Sequence, residues 1–132
     1  MQDRPNSAEL LATVAAYLED ELIPALDPVL SYRSRVAANL VRILQRELSL
    51  GPAALRREHA LLCGLLDMEA GATAPDALAQ AVLELNRRVV AAIDAGDIAH
   101  ARAWPVLMEI ARVKLTIIRP DYDAWDAAEE LP

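Results

Sequence analysis

Four side chains along one stretch of the sequence, Arg35, Asn39, Arg42 and Arg46, are of the types needed to hold an anion. A guanidinium presents a planar fork of N–H donors that matches a phosphate or carboxylate two bonds at a time, and an amide adds a further donor. At about 100° per residue the four fall on one polar, basic stripe of a helix whose apolar face carries Val36, Leu40, Ile43 and Leu44. Arg35, Asn39, Arg42 and Arg46 are therefore the candidate residues for binding a ligand or a partner. The plainer use of these arginines is pairing with Glu19, Asp20 and other acids of a neighbouring helix while their stems cover core edges, and this is the expected one. Asn39 lies nearer the apolar face, where a buried amide needs partners and more often sets helix register than binds a ligand.

Other titratable groups give less. Projected on their helices, Glu21 falls between Leu10, Val14 and Leu18, and Glu47 between Val36, Leu40 and Ile43, so both carboxylates could point inward. Inward carboxylates in a helical bundle suggest a di-metal centre, but such a centre needs two histidines at Glu-x-x-His spacing. The chain supplies only Asp97-Ile98-Ala99-His100, in an expected link, and His59 directly after Glu58. The expectation is that Glu21 and Glu47 occupy final helical turns near solvent, within reach of Arg33, Arg35 or Arg46. His59 shares a face with Leu55, Leu62 and Leu66 and reads as a packing residue. Cys63, one helical turn on, has the spacing of an activated thiol but no glycine loop to form an oxyanion hole. Phosphate-binding glycine loops and paired Cys-x-x-Cys ligands are missing from the sequence. No catalytic constellation, no metal site and no cofactor are expected.

Composition narrows the partners. The formal charge of −7 resides mainly in the second half: residues 1–66 carry eight acids against seven bases, residues 67–132 twelve against six. A net negative chain is repelled by phosphate backbones and anionic lipid, so nucleic acid and membrane surfaces are not expected partners. No stretch approaches the ~18 apolar residues of a membrane span, and Met1 to Pro5 has no apolar signal region. With a lone Cys63 the expected location is the reducing cytoplasm.

The side chains above need helices to position them, and the pattern predicts an all-α, up-and-down helical bundle of four to five helices over residues 1–120, followed by an acidic aromatic tail at 121–132. Without Phe, its core must be built from Leu, Ala, Val and Ile. The first helix starts after Pro5, where Asn6 and Glu9 have capping-box spacing, and runs to Pro24. Pro24 and Pro28 predict an irregular link, and the second helix spans about Ser31 to Leu50. Gly51-Pro52 reads as a break and the start of a third helix that reaches about Glu69. Leu78, Val82, Leu85, Val89 and Ile93 trace a fourth, stopping at Gly96. Val106, Ile110, Val113 and Ile117 trace the last, with Pro105 in its first turn and Pro120 beyond its end.

Several of these segments, Met1 to Pro5, Glu9-Leu10-Leu11, Arg35 to Asn39, Arg46-Glu47-Leu48 and Gly51-Pro52, together resemble a family of small uncharacterised bacterial domains. The resemblance covers roughly residues 1–122, and Pro120 with Tyr122 fits the family's ending, whereas the acidic extension departs from it. Members are often encoded beside kinases similar to aminoglycoside phosphotransferases and beside acyl-CoA dehydrogenases. The resemblance implies an accessory role near such an enzyme and carries over no catalytic residue. The expected function is therefore a non-catalytic interaction module that binds a protein partner or itself, with a helical domain for a small anionic or acyl ligand as the alternative.

Overall fold

A computed structural model describes residues 4–71 and 73–120. The expected tail at 121–132, with Tyr122 and Trp125, lies outside the described residues. The all-α expectation holds: the described residues contain helices and no strand. No helix among them is long and apolar enough to cross a membrane.

Helix α1 (Ser7–Tyr17) is started by the capping box the sequence announces. Asn6 Oδ1 accepts from the Glu9 amide at 2.9 Å, and Glu9 Oε2 accepts from the Asn6 amide at 2.8 Å, so two orphan donors are satisfied at once. The helix widens into a π turn at Leu18–Leu22, where the Ile23 amide donates to the Leu18 carbonyl, and α2 (Ile23–Ala25) carries it just past Pro24. The expected link shrinks to Leu26 and Asp27. Asp27 Oδ1 then accepts from the amides of Val29 (3.0 Å) and Leu30 (3.2 Å), capping α3 with Pro28 as its first residue.

Helix α3 runs from Pro28 to Leu65, so the expected break at Gly51-Pro52 does not occur. Proline lacks the amide that would bond the Leu48 carbonyl, yet that loss is confined to one bond of a helix strongly patterned on both sides. α3 ends four residues short of Glu69, where Asp67 adopts a left-handed conformation (φ 55°) and the Met68 amide returns to the Cys63 carbonyl at 2.9 Å. Helix α4 (Leu78–Ala95) stops at left-handed Gly96 (φ 82°) as expected, with the Asp97 amide bonded to the Ala92 carbonyl at 2.9 Å. Helix α5 (His100–Ile118) starts a turn earlier than expected, leaving Pro105 in its second turn.

The chain divides into two compact units, Met1–Gly51 and Pro52–Pro132. The second has the better core: Leu62, Cys63 and Leu65 of α3, Val82, Leu85 and Val89 of α4, Ile98, and Ala103 and Ile110 of α5 form one buried cluster. These are the apolar stripes read from the sequence, facing each other. In the first unit the described residues bury only Ala15, Ser31 and Ala38.

Candidate functional site

The first unit's α3 segment, Pro28 to Gly51, carries every candidate residue. It buries the side opposite to the expected one. Ser31 and Ala38 are buried and Ser34, Val41, Arg42 and Gln45 half-buried, whereas Val36, Leu40 and Leu44 are exposed and Ile43 is half-buried. Leu40 is 56% exposed, against 2% for Ala38, about 160° away around the helix. Small side chains let two helix backbones approach closely, so the Ser and Ala side of an amphipathic helix can win the interior while its leucines stay outside. Periodicity alone does not reveal that choice. In α1 the same exchange appears, with Ala15 buried and Leu10, Val14 and Tyr17 exposed.

Of the four basic-stripe residues, Arg42 is fully committed. Its Nε and Nη2 donate to Glu19 Oε1 and Oε2 at 3.2 and 2.5 Å, and its Nη1 to Gln45 Oε1 at 3.5 Å. The bidentate bond holds the Glu19 carboxyl below its usual range and the Arg42 guanidinium above its own. This is the expected pairing with an acid of the neighbouring helix. Arg46 is half-buried and engaged. Arg35 and Asn39 are exposed, so Asn39 is not the buried, register-setting amide that its position suggests. Glu21 and Glu47 are exposed, as expected, but Glu47 lies in the middle of α3 and not in a final turn, and neither forms the expected ion pair among the described residues. The described residues contain no group of three or more potential metal ligands.

In the second unit, His59 is half-buried with Nε2 3.4 Å from Thr73 Oγ1 and 3.9 Å from Cys63 Sγ, and Cys63 belongs to the core. His59 thus packs as expected, and the Cys63 thiol is buried. The buried polar centre lies one residue before it. Glu58 Oε1 accepts from Lys114 Nζ of α5 at 2.7 Å and from Asn86 Nδ2 of α4 at 3.1 Å, and Asn86 also donates to the Val82 carbonyl at 3.0 Å. A signal for it was present: Leu55, Glu58, Leu62 and Leu65 form one helical stripe, with a carboxylate in a core register. Every lone pair used there is matched, so the cluster is a structural tie between helices.

A concavity of 530 Å³ opens between the C-terminal part of α4 and the start of α5, lined by Ile93, His100, Ala101, Ala103, Trp104 and Leu107. Beside it, Arg102 clamps Asp67 at 2.6 and 3.0 Å and the Gly64 carbonyl at 3.1 Å, which holds the Asp67 carboxyl below its usual range. The candidate arginines of α3 do not line this concavity.

The described residues therefore offer two surfaces: the leucine-bearing face of α3 with its basic edge, and the apolar concavity. No curated protein and no solved structure matches the chain. A family model does match, over residues 24–122, which takes in α3, α4 and α5 whole; the chain belongs to the family described as Domain of unknown function (DUF6285).

Proposed function

We propose that the protein is a non-catalytic interaction module that works by docking another protein chain on the exposed face of α3 between Val29 and Leu50. One observation carries the reading: of sixteen exposed large apolar side chains among the described residues, eleven lie between Leu10 and Leu50 and eight of those on this segment. At about half exposure the eight amount to roughly 600 Å² of apolar surface, the upper end of what an ordinary monomer leaves bare. A kinase-like or acyl-CoA-using enzyme in the bacterial cytoplasm is the client suggested by the sequence resemblance, with Arg35 and Asn39 as its polar contacts. The net charge of −7 weighs against nucleic acid. The test is a photo-crosslinking amino acid placed in the full chain at Leu40, Leu44 or, as a control, Gln80, and irradiated in the native host. Protein adducts at positions 40 and 44 but not 80 are expected; their absence at both would overturn the reading.

The concavity in the second unit supports a second reading, a site for a small apolar group. Its size suits a small ligand, and its lining, with His100 as the polar exception, suits an acyl chain. Quenching of tryptophan fluorescence by a medium-chain acyl-CoA, lost in Trp104→Ala and Leu107→Glu, would support it; an unchanged spectrum would dismiss it.

A further inference from the structure

The exposed face of α3 repeats itself in reverse about one residue. Counting outward from Leu40 in both directions gives Val36 and Leu44 at four residues, Tyr32 and Leu48 at eight, and Leu30 and Leu50 at ten, all exposed apolar side chains. At seven residues stand Arg33 on one side and Glu47 on the other. Seven residues are nearly two helical turns, so both share the Leu40 face, about 10 Å to either side of it along the axis. Both are exposed, and neither has an ion-pair partner among the described residues.

From this symmetry we infer that the occupant of the face is a second copy of the same chain, its α3 lying antiparallel across the first with a twofold axis at Leu40. The inference rests on the interaction-module reading and puts a second copy of the chain on this face in place of an enzyme client. A twofold pairing is isologous: whatever residue i meets on the other copy, that residue meets i. In the antiparallel sense Val36 lies against Leu44 of the other copy, Leu40 against Leu40, and Arg33 against Glu47, so two opposite-charge pairs close the two ends of an apolar centre. A parallel pairing sets Arg33 on Arg33 and Glu47 on Glu47, and like charges in contact disfavour it. At the shallow crossing of about 20° found in helical bundles the long side chains reach each other across the seam. The roughly 600 Å² of exposed apolar surface, with the flanking charges, approaches the ~800 Å² per partner of a standard stable interface.

The test is sedimentation velocity on the full chain over a concentration series. A dimer is expected for the natural sequence. Leu40→Glu buries two carboxylates at the axis and should raise the dissociation constant roughly thirtyfold or more, with the helical circular dichroism unchanged because the site is exposed in the single chain. Arg33→Glu and Glu47→Arg should each weaken the dimer, and the two together should restore it. A monomer at every concentration, a dimer insensitive to Leu40→Glu, or a double exchange without recovery would each overturn the inference. Adducts from position 40 to a different protein, with a monomeric purified chain, would overturn self-pairing while leaving the interaction-module reading standing; no adducts of any kind would remove both.

Discussion

Glu58 Oε1 and Lys114 Nζ lie 2.7 Å apart, joining a Glu58 side chain that is 7% exposed to a Lys114 side chain that is 55% exposed. Removing the cation leaves the buried carboxylate with Asn86 alone, so Lys114→Met should cost about 1–3 kcal/mol in urea unfolding. Glu58→Leu with Lys114→Met removes the charge as well as its partner and should recover much of that loss, because Asn86 keeps the Val82 carbonyl. If the double variant is the least stable of the set, the pair contributes more than it costs.

Core truncations should separate the two units. Leu62, 0% exposed, should lose about 2–5 kcal/mol on replacement by Ala, since its neighbours cannot collapse fully into the space. Leu40→Ala should lose less than about 1 kcal/mol, because that side chain is already half in water. Thermal unfolding at the lowest workable concentration, where association contributes least, measures the contrast; equal losses would mean that Leu40 is covered in the folded chain.

Acid should act through two ion pairs. Arg42 holds Glu19, and Arg102 holds Asp67, below their ordinary values of 4.5 and 3.8. A carboxyl whose pKa is lowered on folding contributes stability that is complete above its unfolded value and is lost as pH falls through the folded one. Melting temperature should thus be flat from pH 7 to about 5 on account of these groups and decline below about 4. Arg42→Gln and Arg102→Gln should each make that decline shallower, which a melting series between pH 7 and 2 would register.

Gly51 and Pro52 sit inside α3, where neither residue type favours a helix. Gly51→Ala brings a methyl group within 2.8 Å of Glu47 Oε1, the end of a flexible, exposed side chain that can swing aside. A gain of about 0.5–1 kcal/mol is therefore expected. Pro52→Ala restores the amide for the Leu48 carbonyl and should add about 1–3 kcal/mol. Chemical denaturation of both variants decides this; a loss at either position would show that the helix there depends on the natural residue.

The features legible in the sequence were local or strictly periodic. Asn6 with Glu9, and Gly96 after Ala95, act through bonds to their own neighbours, and both ends formed where they were expected. The stripes of α4 and α5 point inward because most of each helix's large apolar side chains lie on one side, with Leu83 and Val90 of α4 and Trp104 and Ile118 of α5 left exposed. Gly51-Pro52 misled because a break signal is a modest local cost, and the helical pattern on both flanks outweighed it. The Leu40 face misled for a different reason: periodicity shows that a helix has two sides, while the small residues Ser31 and Ala38 decided which was covered. Among the candidate residues, Arg42 is legible as an ion-pair member; the buried Glu58, outside that set, is legible only when its charge is read together with its place in the stripe of Leu55, Leu62 and Leu65.

The π turn at Leu18–Leu22 holds one residue more than an ordinary helical turn would. It is a store of slack in an otherwise regular rod. Deleting a single residue there would let the backbone tighten to normal pitch without breaking, but α1 would rotate by about a quarter turn or more relative to α2. Ala15 would then swing out and a bulkier neighbour swing in, so a shortening that spares the helix would still scramble which of its side chains the first unit shelters. Homologues that lack this extra residue should therefore carry compensating size changes along α1.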